Sequence, residues 1–271
     1  MTAQDLSEPP KNWIRLSEQY SRFSPPLRPC DADVAMFRQA ISGHDARVLL
    51  LGVTPALASL GTSLLAVEAI PSVISALWIG DGPDRSAQVG DWRNLPCADK
   101  SRTAVIGDGV FSAADADPAI LMAEFIRVLD PAGIIAIRCF CAPARPEPFD
   151  AIVSDTLAGK IADLNVLKWR IAMRLSANNI DHRVPVSCVL EKFDILFPDR
   201  RLLMDRTGWL KDQFDFIDLY KGASSALRFL PEDRLIASFS TLADDISFLR
   251  PQGYPMAAQS PILLLRGPRQ C

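Results

Sequence analysis

Between Arg47 and Cys139, apolar runs of strand length alternate five times with turns or helical stretches, and no other feature constrains the fold as much. The runs fall at residues 47–51, 63–67, 87–89, 103–106 and 134–139. They lack polar alternation, so each strand is expected to be covered on both faces, as in a parallel sheet between helical layers. A short helix is predicted at 55–60 and another at 71–77. A longer amphipathic helix starts at Asp117 or Pro118 and reaches Leu129, and Asp130-Pro131-Ala132-Gly133 turns the chain into the fifth strand. Five such units predict a doubly wound, Rossmann-like α/β sheet.

The flanks read differently. Trp13, Leu16 and Tyr20 share one helix face, and the prolines of 24–29 impose an extended path. Asp31 caps a helix over 32–42, with Asp33 in its first turn. From Pro148 the chain becomes mainly helical, with helices at 151–162 and 167–176, a strand or extended stretch at 193–197 and a helical segment at 207–220. Strands at 246–249 and 261–266 are close enough to pair antiparallel. This divides the chain into an N-terminal helical lid, 1–45, and a main domain, 46–271, with 148–230 as a cap insertion. The apolar character of helices 151–176 suits either a cap or a homodimer contact.

With 271 residues, 49% hydrophobic and a net charge of −3, the chain has the balance of a globular protein with a large core. No Lys/Arg run offers a track for a nucleic acid, which leaves a small molecule, or a carrier-bound or peptide substrate, as the expected partner. No apolar run approaches the 18 residues of a membrane span, and the polar start lacks a signal-peptide pattern, so a cytoplasmic location is expected. Six cysteines and two histidines, His44 and His182, form no recognisable ligand spacing. No metal is expected, and the thiols read as reduced and mostly buried.

Four phrases stand in a familiar order: Val48-Leu49-Leu50-Leu51-Gly52-Val53-Thr54-Pro55, Val67-Glu68, Gly90-Asp91-Trp92 with Leu95-Pro96, and Arg127-Val128-Leu129-Asp130-Pro131-Ala132-Gly133. Together they resemble the motifs of class I S-adenosylmethionine (SAM) dependent methyltransferases from about Arg47 to Phe140. The resemblance implies a seven-stranded sheet whose last strand is antiparallel, SAM as cofactor and S-adenosylhomocysteine as product. Thr54 and Ala56 replace two glycines of the family's first turn, and Leu50 replaces its usual acidic residue.

On this resemblance, Gly52 admits SAM against bare backbone, with Thr54 and Pro55 beside its methionine portion. Glu68 accepts from the ribose hydroxyls, Asp91 from the adenine amino group, and Trp92 covers the adenine face. Asp108 and Gly109 follow the fourth strand, where open sheets place ligands, and Tyr20 and Arg28 fold over the cofactor. Asp108 and His182 are the candidate catalytic groups, and Phe111, Trp169 and Tyr220 the candidate substrate wall. His44 precedes the first strand, on the wrong edge. Each of these residues also has a plainer reading as turn, surface or packing. The implied reaction is methyl transfer to an N, O or S atom of a small acceptor. Its rivals are a SAM-consuming cyclase or lyase and a non-catalytic SAM-fold subunit. A nicotinamide enzyme is disfavoured because G-x-G-x-x-G is absent.

Overall fold

The computed structural model describes residues 11–42 and 45–269, apart from the side chains at 11–13 and 16; His44 and Cys271 lie outside the described residues, as do the side chains of Trp13 and Leu16. Strands β1 (Arg47–Leu51), β2 (Ser63–Glu68), β3 (Arg85–Val89), β4 (Arg102–Asp108) and β5 (Leu129–Arg138) run parallel. A two-stranded ribbon, β6 (Arg183–Pro185) with β7 (Ala226–Arg228), stands apart. The main sheet is completed by β8 (Ala243–Leu249) and β9 (Ile262–Pro268), in the order β3-β2-β1-β4-β5-β9-β8. Only β9 opposes its neighbours, pairing Arg138 with Ile262 on one side and Leu249 with Ile262 on the other.

Register explains the missing polar alternation. Helix α1 (Lys11–Glu18) is followed by α2 (Asp31–Ala40) and, after β2, by α3 (Pro71–Leu77); α4 (Val110–Ala113) and α5 (Pro118–Val128) follow β4. Val48 and Leu50 of β1 face the core shared with Phe37 of α2 and Val73 of α3. Leu49 and Leu51 face the opposite core, with Leu121 and Phe125 of α5. Both faces are therefore dry, and each fully buried leucine contributes about 1.5–3 kcal/mol. Asp117 caps α5 by accepting from the Ala119 N–H. The turn expected at 130–133 falls instead within β5, where the β4–β5 register shifts between Arg102↔Leu129 and Ala104↔Ile134. Gly133 is required there, since a β carbon would stand 2.8 Å from the Thr103 carbonyl.

A third core belongs to the insertion. It is built by α6 (Phe149–Leu157), α7 (Leu164–Ser176), α8 (Val186–Leu196), α9 (Arg200–Thr207) and α10 (Lys211–Asp218), together with the β6–β7 ribbon. Residues 193–197 are not a strand but the end of α8, where the Phe193 and Phe197 rings meet at 5.5 Å. A short apolar run cannot by itself distinguish strand from buried helix. The expected segment 207–220 is interrupted: α9 ends on Gly208 at φ 71° and α10 starts at Lys211. A last helix, α11 (Glu232–Phe239), unforeseen in the sequence, covers the sheet beside α5. Among the described residues, no helix is long and apolar enough to cross a membrane.

Candidate functional site at the carboxyl edge of the sheet

The end of β1 creates the first half of the site. Gly52 adopts φ +86° and donates its N–H to the Val67 carbonyl at 2.8 Å. A β carbon on Gly52 would lie 3.7 Å from Trp92 Cζ2 and 3.8 Å from Glu68 Oε2, so three residues far apart in sequence converge on one point. Glu68 Oε1 accepts from the Ile70 N–H at 3.0 Å, while Oε2 faces Gly52. Burial pushes the Glu68 carboxyl up, against the backbone N–H groups of Ile70 and Ala69. Trp92 is fixed by its indole N–H, which donates to the Val67 carbonyl at 2.7 Å.

Asp91 is engaged within its own loop, where Arg93 Nε and Nη2 bond both its oxygens at 2.6–3.0 Å. That contact holds its carboxyl below the usual range. Thr54 makes no capping bond through its side chain, and Pro55 opens a single turn ending at Leu57.

The second half lies where β4 and β5 end. Arg138, fully buried, donates from Nε to Asp108 Oδ1 at 2.8 Å and from Nη2 to the Pro26 carbonyl at 2.7 Å. Its Nη1 lies 3.7 Å from Asp33 Oδ2 but has no hydrogen bond. Asp33 in turn accepts from the Tyr254 hydroxyl at 2.9 Å and the Cys30 N–H at 2.9 Å. Burial opposes the Arg138 charge, yet Asp108 and Asp33 outweigh it and hold the guanidinium protonated. Burial also raises the Asp108 carboxyl, opposed by Arg138. Tyr20 joins this cluster: its hydroxyl is buried without a partner, and burial followed by Asp108 raises its pKa, against Arg138 and Arg28. Arg28 is half-buried in the same segment.

Gly109, at φ +66°, brings its N–H to the Arg138 carbonyl at 2.8 Å and leaves room for the Phe140 ring. From Phe140 an aromatic path runs into the cap, through Trp169 at 5.3 Å and Phe229 at 5.0 Å beyond it. Trp169 is therefore buried between the Phe140 and Phe229 rings, with its indole N–H unpartnered. Phe111, expected at a substrate wall, packs into the sheet core against Phe239 at 5.3 Å. Tyr220 lies inside the cap, its ring 5.2 Å from Lys168 Nζ. His182 precedes β6 at φ 54°, and burial, then Arg234, lowers its pKa. Among the described residues, no hydrogen bond joins His182 to Asp108, Arg138 or Glu68.

Arg138 went unnoticed in the sequence although a signal was present: it is the one charge closing the apolar run Ile134-Ile135-Ala136-Ile137. Lys168 is buried without a hydrogen bond. Arg127 in the family-like phrase is structural, bonding Glu124, Asp99 and the Cys97 carbonyl and so tying α5 to the loop after β3. Among the described residues, no group of three or more His, Cys, Asp or Glu is arranged to hold a metal ion.

Residues 52–137 match the family model of a methyltransferase domain. No curated protein matches the sequence. Among solved structures, a protein from Rhodobacter sphaeroides described as a Zn-dependent alcohol dehydrogenase is similar, with 13% identity, TM-score 0.54 and coverage of 94% of this chain and 96% of the other. A Haloferax volcanii methyltransferase solved with its activator Trm112 has 11% identity, TM-score 0.51 and 96% coverage of both chains. At such identities the likeness concerns the fold alone. The matched segment and the seven-stranded sheet with its antiparallel last strand give this chain the class I SAM-dependent methyltransferase fold.

Proposed function

We propose that this chain binds SAM along the carboxyl edge of β1, β2 and β3 and passes its methyl group to an N, O or S atom of a small-molecule acceptor. The observation that carries this reading is the meeting of bare Gly52 backbone with Glu68 Oε2. A nucleoside needs that pairing: close approach to backbone for the sugar, and a carboxylate for its two hydroxyls. SAM would supply a sulfonium methyl that is reactive by itself, so the protein's task is to orient and to exclude water. Glu68 would hold the ribose, and the Trp92 ring would line the nucleoside. Tyr20 and Arg138, each with a buried unpartnered donor, would close the far side against solvent. The apolar residues of α7, including Leu167 and Ile171, are buried in the cap's own core, which favours a cap over a dimer contact for those helices.

A second reading, a non-catalytic SAM-fold subunit, is favoured by one observation: Trp92 rests against Gly52 while Asp91 is bound to Arg93. Calorimetry with SAM and S-adenosylhomocysteine separates the two. Saturable heat from both supports the first reading, whereas no heat from either, on folded protein, overturns it. If SAM is consumed, S-adenosylhomocysteine as product marks methyl transfer, and methylthioadenosine marks cyclisation or elimination of the aminocarboxypropyl group.

A further inference from the structure

A cavity of about 540 Å³ lies beyond the ends of β5 and β9, between the loop that leaves β5 and the cap helix α7. That volume is within the about 300–1,000 Å³ of small-molecule sites. The two loops are held together beyond the sheet, because Cys141 N–H donates to the Gln259 carbonyl at 2.8 Å. The opening therefore stands on the carboxyl side of the sheet, displaced outward from Gly52 and Glu68.

The lining divides by chemistry. Ile161, Met173 and Met256 form an apolar part. Arg145, Lys160, Arg170 and Arg174 also line the cavity, with Glu147 as its one acidic group. Arg170 is already matched, bonding Glu147 and Asp155, and Asp155 also accepts from Lys160 at 3.1 Å. The other two cations are not matched. Arg174 Nη1 meets only the neutral Asn178 side chain at 2.8 Å, its guanidinium lying 5.1 Å from the Phe149 ring centroid. Arg145 is exposed and, among the described residues, makes no ion pair. Two forked donor groups thus share this cavity with apolar side chains in a net acidic protein.

We propose that this cavity binds an amphipathic oxyanion, an aliphatic body on the methionine side with a carboxylate or phosphate held by Arg145 and Arg174. A guanidinium presents parallel N–H donors that match the two oxygens of such a head group. Flexible methionines accommodate an unbranched chain. This cavity shares no residue with the Gly52, Glu68 and Trp92 site.

The test is calorimetry on the full chain with decanoate, decyl phosphate and decanol as probes, each kept below its micelle concentration. Saturable binding of both anions, much weaker binding of decanol and weakening by salt are expected. Arg145→Glu with Arg174→Glu should lower anion affinity about ten-fold or more, the loss of at least one charge-assisted bond. Glu68→Gln should leave it unchanged. Circular dichroism confirms the fold of the double variant, and Arg145→Gln alone, at an exposed position, provides a milder second test. Absence of saturable binding, equal affinity for decanol, or unchanged affinity in a folded charge-reversed variant would overturn the proposal.

Discussion

At the carboxyl edge of one sheet, β1 and β2 end in bare backbone and a turned-in carboxylate, whereas β4 and β5 end in a sealed ion cluster. Glu68 has one oxygen satisfied by backbone and the other facing Gly52. Asp108 instead has its charge answered by Arg138, which also holds the Pro26 carbonyl and faces Asp33. Both acids are raised by burial, but Glu68 turns an oxygen toward Gly52 whereas Asp108 is paired with a buried cation. Equivalent positions in the topology thus do different work. The first half leaves a carboxylate oxygen beside glycine backbone, and the second binds the N-terminal segment over the sheet.

Removing the centre of the sealed half has the largest expected effect. Arg138→Met leaves Asp108 and Asp33 buried without their cation and should cost about 3–5 kcal/mol in urea unfolding; a cost below about 1 kcal/mol would erase the distinction between the halves. Lys168 extends the contrast to a buried cation with no carboxylate bonded to it. Burial lowers its pKa to about 7, against Asp163. The unfolded amine keeps its proton to about pH 10, so between about pH 7 and 10 the unfolded state binds more protons and stability rises with pH. Lys168→Met should therefore be more stable than the parent by on the order of 2–5 kcal/mol below pH 7 and lose that slope. Equal pH profiles for the two proteins would show that the amine is solvated.

The open half is tested by smaller changes. Glu68→Gln should weaken S-adenosylhomocysteine binding by about 10–100-fold in calorimetry, the scale of a hydrogen bond to a charged group, with the melting temperature little changed. Comparable loss from Asp108→Asn, with Glu68→Gln silent, would exchange the roles of the two halves. Gly52→Ala should cost about 1–2 kcal/mol of stability, because the residue sits at φ +86° while its new methyl meets only ordinary contacts. Trp92→Phe removes the bond to the Val67 carbonyl and should cost about 0.5–1.5 kcal/mol, read from chemical denaturation.

Much of this architecture was legible because strands and helices have short periods. The runs at 47–51 and 103–106 are apolar at every step that packing demands, and Asp117-Pro118 marks a helix start in local chemistry alone. Glu68 could be placed beside Gly52 because both close parallel strands that are neighbours in a simple winding order. The cap was less legible. Its helices are short and buried around their own core, so at 193–197 apolar content outweighed periodicity.

The sequence by itself determined the succession of strands and helices, the doubly wound sheet and the acid at the end of β2, since each depends on residues a few positions apart. Only the tertiary structure decided that Asp108 would pair with Arg138, that Arg138 would reach Pro26 across 112 residues and that Tyr254 would reach Asp33 across 221. Charges removed from water must find partners wherever the fold brings them, and no local pattern in the chain encodes which distant group that will be.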